Sequence, residues 1–414
     1  MTLIDDRSFR ATLMSRDTAV GAIEGRFVTP IRAELLPIYF QRHGDLGEWL
    51  TSRAIDAHRT HSRLLKKALR LKAQDDISTA LFFNAATITD TYWVKPEGSS
   101  LTWADIRFCE NAFDTLALRG DLSAFSQHPS RTPELTNIGS YEKCWRIKEG
   151  RWWMYKRSTP LERFSELFVC ELCRALNFPT AHYEATEDGV RTLDFTDGNV
   201  NFEPAAALVG EDEDYITNYR AFQSIGQPLA DQYLELLLMD SFCLNADRHT
   251  ANYGVLRDIN SGKILRMAPN FDNNIALISD GYKAEQRKPD LFGWLLRELE
   301  QSEGAIASYA ERHPLPVITP ELIAQCCQRT GEKVDIPYIQ QFVMAGYAQT
   351  PVPALIEQRT HVVVESRQTT LNCTPQSTHG GLKALCTDAK AKATNLGTDK
   401  PAAKRQTEQE HENR

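Results

Sequence analysis

No run of about 18 apolar residues occurs anywhere in these 414 residues, which excludes a membrane-spanning helix. The opening MTLIDDR has neither the basic start nor the apolar stretch of a secretory leader. A disulfide framework is missing too. The nine cysteines, at 109, 144, 170, 173, 243, 326, 327, 373 and 386, are odd in number and have no scaffold spacing. The one C-x-x-C, Cys170 and Cys173, lies in a stretch of helical periodicity. With no second pair to complete four zinc ligands, it reads as two half-buried thiols on a helix. Positive charge is short as well: 47 Lys and Arg against 55 Asp and Glu give a net charge of -8. That balance argues against a protein that coats DNA or an anionic membrane, so nucleic acid is expected as a partner only indirectly, if at all. The absence of G-x-x-x-x-G-K-[ST] excludes a P-loop nucleotide enzyme. Together these absences lead us to expect a cytoplasmic protein in a reducing environment, with no membrane contact.

What is present is a composition suited to several hydrophobic cores, 42% hydrophobic and 25% charged, in a chain long enough for two or three domains. Residues 1–125 mix strand-like and helical pieces. Short apolar runs between 18 and 28, broken by Gly21 and Gly25, suggest a hairpin or meander. The segment from Asp45 to Leu71 has mostly helical spacing, and its basic stretch from Arg59 to Lys72 reads as a solvated face. A polar stretch with two prolines, 123–133, reads as a linker. After it, residues 143–148 and 151–157 form two strands of a hairpin around Glu149 and Gly150, and a helix follows over 162–176. Strand-like pieces continue to Val209, and from Gln227 the pattern is mostly helical. Beyond about 366 the apolar rhythm stops, and we expect disorder. The organisation expected is therefore an N-terminal regulatory or recognition domain (1–125), a small β-rich lobe (126–226), a helical lobe (227–365) and a tail (366–414). The fold class is α+β.

The most informative stretch is 244–256, LNADRHTANYGVL. Asp247 and Asn252 stand there in a D-x-x-x-x-N spacing, at the end of an apolar helix and before a strand. A turn at 258–263 and a return strand over 264–271 lead to Asp272. The hairpin should bring Asn252 and Asp272 together at its open end, with Asp247 close by. That supplies two oxygen ligands for a hard cation and a separate carboxylate able to take a hydroxyl proton. Phosphoryl transfer needs such a set, because its catalysis is mostly positioning and charge neutralisation by Mg²⁺. Upstream, Lys156 on the second hairpin strand and Glu166 in the following helix offer the ion pair by which kinases hold nucleotide phosphates. Gly139 and Ser140, before the first strand, suit a phosphate-covering turn. Leu208 and Val209, at the end of an apolar run, suit an adenine wall. Arg248 reads either as a phosphate ligand or as a brace for the loop, and His249 as a residue that fixes the loop.

These residues resemble the HipA-like serine/threonine kinases, whose fold is related to the phosphatidylinositol 3/4-kinases. The matching stretches are GSYEK (139–143), WMYK (153–156), SELFVCELCRAL (165–176), LNADRHTANYG (244–254) and APNFDNN (268–274). The likeness covers roughly residues 130 to 350, and stretches between 40 and 125 add to it. The resemblance implies a two-lobed protein-kinase-like fold using ATP and Mg²⁺. It implies that Lys156 binds phosphates, Asp247 is the catalytic base, and Asn252 and Asp272 hold the metal. It further implies autophosphorylation in the glycine loop, at Thr136 or Ser140, and an antitoxin-type partner beside a protein substrate. Two other readings stay open: a small-molecule phosphotransferase, and a catalytically inactive interaction module.

Overall fold

The computed structural model describes residues 3–5, 8–55, 60–70, 75–107, 114–123, 141–283 and 287–371, with side chains of the last helix to 361. The N-terminal part is built on strands β1 (Arg10–Ser15), β2 (Thr18–Glu24) and β3 (Phe27–Pro30). The short helices α1 (Ile38–Arg42), α2 (Leu46–Thr51), α3 (Ser62–Ala68) and α4 (Asp76–Phe82) follow. Strand β4 (Tyr92–Pro96) then returns to the sheet, and α5 (Trp103–Ile106) and α6 (Asp114–Arg119) come after it. The sheet is antiparallel in the order β3-β2-β1-β4. Gly25 takes a φ of 59° at the β2–β3 turn, as its position between two apolar runs suggested. Leu13, Val20, Ile23 and Val94 face inward and pack with Leu46, Trp49 and Leu50 of α2.

The next sheet has the order β5-β6-β8-β7 and is antiparallel. Its strands are β5 (Lys143–Lys148), β6 (Arg151–Arg157), β7 (Tyr183–Ala185) and β8 (Gly189–Leu193), with α7 (Pro160–Leu176) between β6 and β7. Glu149 and Gly150 both have positive φ, 55° and 74°, the two-residue turn whose twist matches that of its flanking strands. Helix α7 starts in a capping box: Thr159 accepts from the Glu162 N–H, and Glu162 accepts from that of Thr159. Its apolar stripe, Phe164, Phe168, Val169 and Leu172, enters the main core.

The third sheet, β11-β10-β9, is antiparallel and combines β9 (Val200–Pro204) with the hairpin β10 (Gly254–Asp258) and β11 (Ile264–Met267). Between β9 and β10 come α8 (Ala206–Val209), α9 (Tyr215–Ile225) and α10 (Gln227–Cys243). Helix α10 is buried on nearly every side, from Leu229 to Cys243, as a helix apolar all round must be. Helices α11 (Leu291–Glu303), α12 (Ala305–Arg312), α13 (Pro320–Thr330), α14 (Ile336–Gln349) and α15 (Val352–Leu371) complete the chain. One expectation is corrected. The strand read as reaching Val209 stops at Pro204, because Ala205 and Ala206 accept from the N–H groups of Leu208, Val209 and Gly210 and close a helical turn. Gly210, at φ 71°, ends it.

The chain falls into two units, residues 1–357 and 358–414. The described residues of the second are helical to Leu371, so the first residues of the expected tail are ordered as helix. The remainder of that tail, and most of the expected linker at 123–133, lie outside the described residues. Within the first unit, the N-terminal part is joined to β9 and β10 by buried polar contacts. Glu203 accepts from the Ile38 N–H at 2.5 Å and from the Tyr92 hydroxyl at 3.1 Å, and it pairs with Arg257. Arg257 also donates to the carbonyls of Leu36 and Glu34 at 3.0 and 2.9 Å. Asn201 accepts from both the N–H and the hydroxyl of Thr91 at 2.9 Å.

Candidate active site

Lys156 lies near the end of β6, opposite Lys143 on one side and Val190 on the other. Glu166, two turns into α7, is fully buried, and its Oε1 stands 3.4 Å from Lys156 Nζ. The other Glu166 oxygen accepts from the Asn273 N–H at 2.8 Å. Lys156 Nζ also donates to Asp272 Oδ1 at 2.5 Å and to Asn274 Oδ1 at 2.8 Å, and lies 4.8 Å from the centre of the Tyr141 ring. Burial works against the Lys156 ammonium, but the charges of Asp272 and Glu166 outweigh it and its pKa rises. Burial pushes Glu166 upward, with Lys156 opposing. Burial would also raise Asp272, yet Lys156 prevails and holds that carboxyl at about 2.

Helix α10 ends with Leu244 in the left-handed region, φ 53°, which turns the chain into the loop that carries Asp247. Arg248 organises this loop. It makes a two-pronged pair with Asp240 of α10, Nε to Oδ2 and Nη2 to Oδ1, each at 2.9 Å. Nη1 donates to the carbonyls of Asn252 and Phe271 at 3.0 and 2.7 Å, and Nη2 to the side-chain oxygens of Asn270 and Asn273 at 3.0 and 2.7 Å. One guanidinium therefore ties the Asp247 loop to the segment that presents Asp272, which decides the question left open for Arg248 in favour of a brace. His249 is exposed and accepts from the Ala251 N–H at 3.3 Å, a contact internal to the loop.

Asp247 is exposed, and its carboxylate has no hydrogen-bond or ion-pair partner among the described residues. The backbone beneath it is held: Asn252 Nδ2 donates to the Asp247 carbonyl at 2.9 Å. That contact fixes the amide's orientation and leaves Asn252 Oδ1 without a donor among the described residues. Asp272 has a φ of 59°, a conformation that costs a non-glycine residue on the order of 1 kcal/mol and concentrates at functional sites. Its N–H donates to the Tyr183 hydroxyl at 2.9 Å. Among the described residues no three His, Cys, Asp or Glu side chains gather as a metal cage. An ionised Asp272 and a free amide oxygen instead suit a hard cation that takes its remaining ligands from water and phosphate, as Mg²⁺ does.

Of the residues singled out from sequence, Lys156, Glu166 and Asp272 meet directly, and Arg248 links Asp247 and Asn252 to them. Gly139, Ser140 and Thr136 lie outside the described residues. Leu208 and Val209 are not on a strand: Leu208 is buried in the core, and its carbonyl accepts from Arg42 of the N-terminal part. Their N–H groups both donate to the Ala205 carbonyl. Cys170 and Cys173 are fully buried, with their thiols pushed up by burial, and Cys170 Sγ donates to the Ala181 carbonyl at 3.3 Å. Sequence reading missed Asp240, Tyr183 and Asn274. Asp240 sits among apolar helix residues and Tyr183 on an ordinary strand. Only the polar run Asn273-Asn274 next to Asp272 offered a signal.

No protein-family model matches the sequence, and no curated protein matches it. Among solved structures the chain is similar to HipA in the Shewanella oneidensis MR-1 toxin–antitoxin complex of HipA, HipB and operator DNA. The TM-score is 0.54 at 11% identity, over 82% of this chain and 96% of that one. It is also similar to the Helicobacter pylori proinflammatory kinase CtkA, with a TM-score of 0.37 at 15% identity over 50% of this chain and 90% of that one. At 11% identity the likeness to HipA is one of fold. The chain has a HipA-like α+β fold, as the resemblance in its sequence implied.

Proposed function

We propose that this chain is an ATP- and Mg²⁺-dependent protein kinase of the HipA type, transferring a phosphoryl group to a serine or threonine hydroxyl. The observation that carries this reading is Lys156, buried between Glu166 and Asp272 and tied through Arg248 to the loop of Asp247 and Asn252. Lys156 would hold the nucleotide phosphates, with Glu166 fixing the ammonium. Asn252 Oδ1 and the Asp272 carboxylate would hold the metal, which when bound neutralises phosphate oxygens and the charge that develops on them. Asp247, open to solvent, would accept the proton of the attacking hydroxyl, its position set by the Asn252 contact to its carbonyl. Asp240, through Arg248, keeps these two segments in register. A place in the cytoplasm goes with this reading. The similar HipA structure contains HipB and operator DNA. By that analogy we assign this chain an antitoxin-type protein partner, with DNA reached only through the partner.

The test is incubation of the purified chain with Mg²⁺ and γ-labelled ATP, alone and with bacterial lysate proteins. Label should enter Ser or Thr. Asp247→Asn should lower incorporation by about 10²–10⁴-fold, the usual contribution of a general base. Equal incorporation by the two proteins would sink the assignment.

A further inference from the structure

Lys156 is surrounded by an acceptor set that the ion pair alone does not explain. An ammonium carries three N–H donors, and here each has an acceptor: Glu166 Oε1 at 3.4 Å, Asp272 Oδ1 at 2.5 Å and Asn274 Oδ1 at 2.8 Å. Two of the three are carboxylates and the third is a neutral amide. Only Oδ1 of Asp272 faces Lys156. Were the carboxylate to turn toward a metal ion, one N–H of the ammonium would be released, and a phosphate oxygen is the natural acceptor for it. Glu166 and Asn274 keep the other two donors satisfied during that exchange. A third carboxylate in place of Asn274 would add negative charge where phosphates must arrive, so a neutral acceptor suits the position.

A second observation concerns the other end of the same side chain. Asn274 is 2% exposed. The contact with Lys156 requires its oxygen to face the ammonium, and its Nδ2 then has no hydrogen-bond partner among the described residues. A buried amide donor without an acceptor is costly, and in native proteins such a group calls for an explanation. Next to Asp272 and Lys156, the explanation that fits is an oxygen delivered with the ligand.

We propose that Asn274 is a further residue of the nucleotide site. Its carbonyl would hold Lys156 in place with Asp272 engaged on a metal, and its amide would donate to an oxygen of the bound nucleotide. This inference rests on the kinase reading above. It makes Asn274 primarily a determinant of nucleotide affinity.

The experiment measures MgATP binding to the full chain by calorimetry, together with the nucleotide KM and kcat of labelled-phosphate transfer, for wild type, Lys156→Met, Asn274→Leu and Asn274→Ser. Asn274→Leu should weaken MgATP binding and raise KM by about 10–100-fold, the range for a hydrogen bond to a charged group, with a smaller change in kcat. Asn274→Ser, which returns a hydroxyl, should recover part of that loss. If Asn274→Leu does not fold by circular dichroism, Asn274→Ser alone is read, and a rise in KM of at least threefold is expected. Wild-type affinity and KM in every folded Asn274 variant, alongside lost binding in Lys156→Met, overturns the role of Asn274 and leaves the kinase reading standing. A fall in kcat with unchanged KM also overturns it. No MgATP binding by wild type, or full binding by Lys156→Met, overturns the kinase reading and this inference with it.

Discussion

Replacing Arg248 with methionine tests the central structural claim, that one buried ion pair holds the two halves of the site together. The side chains of Arg248 and Asp240 are 4% and 1% exposed. Removing the guanidinium takes away five N–H donors, which serve six acceptors because Nη2 is shared among three, and leaves the Asp240 carboxylate with one donor among the described residues, Asn245 Nδ2 at 3.2 Å. Counting about 1 kcal/mol for each donor would give a loss of about 5 kcal/mol, but the loop relaxes and water enters. The better guide is the measured cost of breaking a buried pair from one side, about 3–5 kcal/mol, most of it the penalty of a stranded charge. The same argument makes Asp240→Asn far less costly in the Arg248→Met background than in wild type, because the charge that needed a partner is gone. The assay is a double-mutant cycle in urea, followed by tryptophan fluorescence, for Arg248→Met, Asp240→Asn and the pair. The expected coupling is about 2 kcal/mol or more, with phosphoryl transfer lost in Arg248→Met. A loss under about 1 kcal/mol in Arg248→Met, or strict additivity, would refute the view that this pair carries the loop.

Two further outcomes follow from the ionisable groups. Asp272, held at about 2 by Lys156, contributes stability that is complete above the ordinary aspartate pKa near 4 and is lost as pH falls from there towards 2. With Lys156→Met the largest opposition to the burial penalty on Asp272 is gone and only the weaker pull of Lys143 and Arg248 remains, so the acid-side loss, read from unfolding against pH, should move to higher pH; an unchanged acid limb would contradict the pairing. Arg257→Met leaves Glu203 buried without its partner and cuts the contacts to Leu36 and Glu34. It should cost about 3–5 kcal/mol in urea unfolding, and a cost below about 1 kcal/mol would show that this network does not join the N-terminal part to β9 and β10.

Local chemistry was legible without coordinates. The apolar period of 162–176 specifies a helix, and the structure starts it two residues earlier, at Pro160 behind the Thr159 cap. Glu149-Gly150 between two strand-like runs specifies a two-residue hairpin, because few other sequences tolerate two successive positive φ values. The D-x-x-x-x-N spacing and the later aspartate picked out residues that the fold brings near one another, with Arg248 bridging the loop of Asp247 and Asn252 to the segment of Asp272. Where a residue's role depended on what lay across the fold, the linear pattern was silent. The run through Leu208 read as strand because it is apolar, yet short alanine-rich segments are also free to close a helical turn, and Gly210 ended it.

The sequence by itself determined which elements form and which charged groups are available for chemistry, because propensity, capping and hydrophobic period act over a few residues. Only the tertiary structure decided what those groups do to one another. The pairing of Asp240 with Arg248, the third acceptor on Lys156 from Asn274, and the burial of Arg257 against residues 34–38 all join segments that sequence spacing does not relate. Their energies come from desolvation and distance, and neither quantity exists until the chain has folded.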